Sequence, residues 1–215
     1  PVAAAAPAPS ATPAPTVKTP APSATPPVCA ATDIPDLGYV DSDCDGIDGT
    51  AATSIFVSPK GDDAQPGTMA APKKTIAGGT AAAKATGRRT VLIAAGVYAS
   101  ALSVQDGISL YGGYDPDSWQ RRADLVTQTE GALQADHSGV GGVAQGISTP
   151  TTVQQLTVKS PDAKSGASAY GFKALDAPRL RLERVTILAG RGGAGTSGQD
   201  GAPGAIGEPG KAGKP

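Results

Sequence analysis

Two stretches decide the fold: "GISTPTTVQQLTVKS" at residues 146–160 and "ALDAPRLRLERVTILAG" at 174–190. Pro150 lines up with Pro178, 28 residues on, and Leu156-Thr157-Val158 with Val185-Thr186-Ile187, 29 residues on. Short β-rich segments recurring at nearly equal spacing are the pattern of solenoid turns, none of which buries its inner face alone. Arg179 and Arg181 are two apart on the second segment. They share one face of a strand, with Leu180 and Leu182 on the other.

Working outward, the same strand chemistry fills the middle of the chain. Ile55-Phe56-Val57 form a short strand stopped by Pro59, and "KGDDAQPGT" supplies turn residues in a row. Ile76, Ala77, Ala81, Ala82 and Ala85 recur at helical spacing and mark a short amphipathic helix ended by Gly87. Gly78 and Gly79 weaken that helix, so tertiary packing must hold it. Val91, Leu92, Ile93, Val97 and Tyr98 read as buried strand, followed by Leu102–Val104 and Ile108–Tyr111 with Asp106-Gly107 turning between them. We expect an all-β domain over 55–190: a right-handed parallel β-helix with an N-terminal helix capping its open end. An uncapped first turn would invite edge pairing. A β-sandwich is the alternative, because strand spacing alone fits it too.

The stretch "IFVSPKGDDAQPGT…APKKTIAGGTAAA…RRTVLIAAGVYASALSVQDGISLYGGYDPDSW" resembles the opening coils of bacterial secreted proteins of the pectin-lyase-like β-helix superfamily. The preceding "CAATDIPDLGYVDSDCDGIDG" is similar to the Cys/Asp-rich leader often placed before that opening, and collagen-like inserts often follow it. The resemblance covers roughly residues 29–190. It implies the fold, and for the enzymes of the group an action on acidic polysaccharides through calcium-held carboxylates and a basic residue on middle coils. None of those catalytic positions can be assigned here.

Both ends are compositionally unlike the middle. Residues 1–28 hold nine Pro and nine Ala with one charge, Lys18, and read as a disordered, polyproline-like linker. With no initiating Met and no signal peptide, the chain is read as processed or cut from a longer frame. Over 191–215 the glycines at 192, 195, 198, 201, 204, 207, 210 and 213 keep one phase, with Pro203, Pro209 and Pro215 in third place. That is the Gly-X-Y period of a collagen-like segment, and a homotrimer through this tail is the oligomer it suggests.

The leader, 29–54, carries the densest polar chemistry. Asp41, Asp43 and Asp45 with Gly46 give Asp-x-Asp-x-Asp-Gly, the first half of a calcium loop, and Asp48 adds a fourth candidate oxygen. The twelfth position is Ala52 rather than Glu, and no flanking helices are evident, which argues against an EF-hand. An Asx-turn array needing no ion is the competing reading. Cys29 and Cys44 are the only cysteines and read as a disulfide, whose loop closure is worth about 3 kcal/mol. The leader is expected to pack on the helix cap.

Eighteen basic against 19 acidic residues leave a net charge of −1, no electrostatic case for nucleic acid, and no apolar run spans a bilayer. The sole histidine, His137, has Asp136 and Ser138 as chain neighbours. Adjacent strand residues face opposite ways and form no triad. Arg179 and Arg181, with Lys159 on the matching coil, are candidate ligand-binding cations, since guanidinium pairs bidentately with uronate or sulfate; a solvated outer face is the competing reading. Tyr111, Tyr114 and Trp119 form a sugar platform or plug a loop exit. The composite expectation is an extracellular or cell-surface structural or adhesive module binding glycans or other surface polymers. The alternative is a polysaccharide lyase or hydrolase.

Overall fold

The computed structural model describes residues 3–4 and 28–214. The linker expected over 1–28 lies, but for Ala3, Ala4 and Val28, outside the described residues. The elements run β1 (Ser54–Val57), α1 (Ile76–Thr86), β2 (Thr90–Ala94), β3 (Gly96–Tyr98), β4 (Leu102–Val104), β5 (Ser109–Tyr114) and β6 (Thr127–Glu130). They continue with β7 (Ala132–Leu133), β8 (Gly139–Gln145), β9 (Thr151–Gln154), β10 (Thr157–Lys159), β11 (Ala169–Leu175), β12 (Leu180–Glu183) and β13 (Thr186–Leu188).

The strands form three sheets: β1-β2-β5-β9-β12, β3-β6-β10-β13, and β4-β8-β11. From β2 onward the chain visits them in that order and begins again. Every named pairing is parallel except that of β7 with β8. The two segments read as repeats do stack: Thr151 pairs with Leu180 and Thr157 with Thr186, both 29 residues apart. A β-sandwich, built from antiparallel strands, is not what forms.

Register turns alternation into a core. In the first sheet Ile55, Val91, Leu110 and Val153 stack as one inward column, all fully buried. Tyr98, Thr129 and Val158 do the same in the second sheet. The corners rely on left-handed backbone at repeating positions: Gln155 (φ 56°) and Arg184 (φ 50°), then Gly146 (φ 64°) and Asp176 (φ 47°). One αL residue redirects the chain sharply from sheet to sheet. Val97, expected to be buried, is 57% exposed, because the chain turns at Ala95-Gly96 and resets the alternation.

Helix α1 closes one end of this core. Thr75 Oγ1 accepts from Gly78 N at 2.9 Å, Gly87 caps the far end at φ 69°, and Ile76, Gly79, Thr80 and Ala83 face inward. The glycines that weaken the helix have a purpose: a Cβ on Gly79 would lie 2.3 Å from Val57 Cγ2. Gly142 is similarly constrained, its missing Cβ leaving room for the Phe172 ring. At the other end β11, β12 and β13 are the last strands of their sheets. There Leu182 and Ile187 are 39% and 43% exposed, whereas Val153 and Val158 one strand earlier are 0%. The Gly-X-Y tail leaves the domain, and no described residue lies within 4 Å of a Cβ built on the tail glycines from 195 to 213.

Leu110→Ala is expected to cost about 3 kcal/mol in urea unfolding, as a fully buried leucine in a column should. Val97→Thr should stay within about 0.5 kcal/mol, because its side chain faces solvent. Equal costs would contradict the assigned register.

Candidate functional site: a cleft between the leader and the first sheet

The leader is tied locally before it is tied to the sheets. Cys29 and Cys44 form the disulfide, with S–S 2.07 Å and Cα atoms 5.6 Å apart, and Ala30 N donates to Ser42 O at 2.7 Å. Asp33 Oδ2 accepts from Gly49 N at 2.8 Å, and Asp41 Oδ2 from Gly46 N at 2.9 Å. Asp43 Oδ2 accepts from the Thr50 hydroxyl at 2.8 Å.

This folding brings Asp33, Asp41 and Asp43 together, with one oxygen of each within 4.8 Å of the others. The calcium set read from sequence was Asp41, Asp43, Asp45 and Asp48, and two of those four point elsewhere. Asp45 accepts from Ile47 N and Ala51 N at 3.2 and 2.6 Å, bracing the turn. Asp48 faces inward and pairs with Arg121. Asp33 was missed because it lies outside the Asp-x-Asp spacing; the disulfide loop returns it to the others.

The leader packs on the outer face of the first sheet rather than on the helix cap. Phe56, Leu92, Tyr111, Tyr114 and Trp119 form an apolar cluster there with Ile47. Trp119 meets Phe56 edge-on, with centroids 4.7 Å apart, and Tyr114 Oη donates to Asp48 O at 2.6 Å. The three aromatics read as platform or plug are buried, and they fill the space under the leader.

Arg121 lies at the centre of this layer. Its side chain is fully buried and pairs with Asp48 at 2.9 Å. It donates to Gly112 O at 2.8 Å and Asp36 O at 3.0 Å. Its guanidinium lies 5.6, 5.7 and 5.3 Å from the ring centroids of Tyr39, Tyr111 and Tyr114. Burial raises the Asp48 carboxyl above its ordinary value of 3.8, and Arg121 pulls it back only in part. Further along, Tyr39 Oη donates to Gln155 Oε1 at 2.9 Å and accepts from Arg184 Nη1, so the leader reaches the later corners too.

Where the leader's edge runs out, a cleft of about 360 Å³ opens. Ile34, Pro35, Asp36 and Leu37 form one wall; Tyr111, Thr152, Gln154, Arg181 and Glu183 form the floor. The floor residues are outward neighbours in register: Tyr111 beside Gln154, Gln154 beside Glu183, and Thr152 beside Arg181. Glu183 binds Arg181 and Gln154 Nε2, each at 2.5 Å, while Gln154 Oε1 is buried with no partner among the described residues. Donors and acceptors thus alternate over a few ångströms beside an apolar wall, an arrangement that suits a hydroxyl-rich or carboxylate-bearing ligand.

Of the three cations singled out, only Arg181 lines this cleft. Arg179 is exposed just before β12. Lys159 belongs to the second sheet, 3.9 Å from Glu130. The equal chain spacing that seemed to match Lys159 with the arginines compared different faces. His137 is in a turn at φ 63°, and Ser138 Oγ donates to Asp136 at 2.6 Å, so these neighbours form no catalytic relay. Among the described residues no helix is long and apolar enough to cross a membrane. Compared with family models, with curated proteins and with solved structures, the chain matches none.

Arg121→Met should cost about 3–5 kcal/mol, because it strands a buried carboxylate, and a double variant adding Asp48→Leu should recover most of that loss. The raised Asp48 carboxyl takes up its proton in the folded state before the unfolded chain does, so acidification through its folded value relieves a destabilising charge. The deficit of the single variant should therefore shrink on acidification in urea melts followed by Trp119 fluorescence. A deficit independent of pH would place the cost elsewhere.

Proposed function

We propose that this chain is an exported surface or secreted adhesive module that binds glycans in the cleft beside Arg181. Its three parallel sheets, in this reading, are the faces of one right-handed parallel β-helix of the pectin-lyase-like kind. The observation that carries the reading is the outward column Phe56–Leu92–Tyr111–Gln154–Glu183. It is apolar where the leader covers it and polar where the cover stops. Ile34, 75% exposed, lies on the wall beside this column and offers an apolar face to a ligand. The disulfide favours an oxidising compartment, in keeping with export.

The ligand class follows from the floor. Arg181 offers guanidinium donors to a uronate carboxylate, and Gln154 and Glu183 offer acceptors to ring hydroxyls. Isothermal titration of short oligogalacturonates should give a binding heat. Arg181→Ala should weaken that binding by about tenfold, the loss of one charge-assisted contact, and Lys159→Ala should leave it unchanged. No heat with oligogalacturonates or with neutral cello-oligosaccharides would end this reading. New reducing ends released during the titration would turn it into the polysaccharide-cleaving alternative.

Calcium is proposed for Asp33, Asp41 and Asp43. One oxygen of each lies within 4.8 Å of the others, close enough for all three to reach one ion at calcium–oxygen distances of about 2.4 Å. The backbone and hydroxyl donors on these carboxylates pre-orient them without occupying every lone pair. Calcium at a hundredfold excess over its dissociation constant should stabilise the protein by about 2.7 kcal/mol. The gain should vanish in the Asp41→Asn, Asp43→Asn variant. An unchanged melting temperature in wild type would leave the three carboxylates as turn braces.

A further inference from the structure

Among the described residues nothing pairs with the outer edge of β12, at the end of the sheets opposite α1, and this strand carries a self-pairing charge pattern. Leu180-Arg181-Leu182-Glu183 read about Leu182 is self-complementary: in an antiparallel pairing centred on Leu182, Arg181 of one copy faces Glu183 of the other, twice. We infer that a second copy of this chain docks on the free edge of β12, making an isologous two-fold dimer through Leu182.

The backbone supports the same centre. The carbonyls of Arg179 and Glu183 are taken by Thr151 N and Gln155 N of the neighbouring strand. In a parallel ladder alternate residues bond to opposite sides, so Leu182 directs its N–H and C=O toward the free edge. Two Leu182 residues related by the two-fold therefore exchange both hydrogen bonds. Arg181 and Glu183 then fall on the flanking non-hydrogen-bonded sites, where side chains lie closest. The axis is normal to the sheet, so outward residues stay outward and the charges meet on one face.

The side chains agree. Leu182 belongs to the inward column that is fully buried at Leu110 and Val153, yet it is 39% exposed. Antiparallel docking places the partner's Leu182 over it and extends the apolar column across the junction. Residues 191–214 do not cover this edge: alongside Ala163 and Ala167 the chain makes its last backbone bonds to the domain at Arg191 and Gly193, and the glycines beyond stand clear. Arg181 and Glu183, 2.5 Å apart within one copy, are exchanged between copies without loss of pairing.

Sedimentation equilibrium of the 215-residue chain, without added glycan, tests this. The expected result is a species of twice the 21.1 kDa chain mass. Arg181→Glu alone, or Glu183→Arg alone, sets like charges opposite at both symmetric sites and should weaken the dimer by roughly tenfold or more. The double variant R181E/E183R restores opposite charges and should regain near wild-type association. Circular dichroism of each variant separates failure to fold from failure to pair, and Lys159→Glu serves as a folded charge control that should leave the dimer intact. A monomer at high concentration, a trimer, or a dimer indifferent to either single reversal would overturn the inference. Because no ligand is present, none of these results depends on glycan binding.

Discussion

Parallel strands laid one on the next in fixed register, so that each inward residue rests on the inward residue of the strand before, are what the rest of this molecule hangs on. Ile55, Val91, Leu110 and Val153 form one such column, and Tyr98, Thr129 and Val158 another. A single strand in this arrangement buries almost nothing; the hydrophobic gain comes only from stacking. Stacking makes two ends, and they are handled differently. At one, α1 lies close on Val57 because Gly79 lets it. At the other, Leu182 and Ile187 stand partly in water.

The same register creates the cleft. Alternation sends every second residue outward, and the outward column of the first sheet begins apolar. That surface needs a cover, and the leader supplies it, held by Trp119 and Tyr114 from the 109–126 region and centred on the Asp48–Arg121 pair. A buried ion pair adds little net stability, but its misalignment is costly, so it fixes where the leader must lie. With the leader's position set, its edge overhangs the column at the point where Gln154 and Glu183 replace hydrophobes. The site is the consequence of a cover that is shorter than the sheet.

Much of this was legible in residues 29–190. The 29-residue offset gave the stacking partners of β9 and β10, and Gly87 marked the end of the helix. The Cys29–Cys44 bridge and the outward direction of Arg181 were legible too, since both are local properties. Besides the expected packing of the leader on the helix cap, three readings failed because they assumed a local continuity that the fold does not keep. Val97 was read as buried strand, but the bend at Gly96 resets the alternation and turns it outward. Lys159 was matched to the arginines by spacing, yet it lies on another sheet. Asp48 was grouped with its neighbours in the aspartate run, while its carboxylate turns toward a guanidinium 73 positions away.

Sequence alone determined what depends on neighbours along the chain: strand alternation, helix caps, a disulfide loop of 15 residues, and a repeat length that makes stacking possible. Tertiary structure alone decided which face each outward residue occupies, where the leader is laid down, and that Arg121 would be buried beneath it. The reason is that charge burial and surface coverage are settled by atoms brought together across long stretches of chain. No local pattern marks Arg121 as different from Arg122 beside it, which is half exposed and pairs with Asp124.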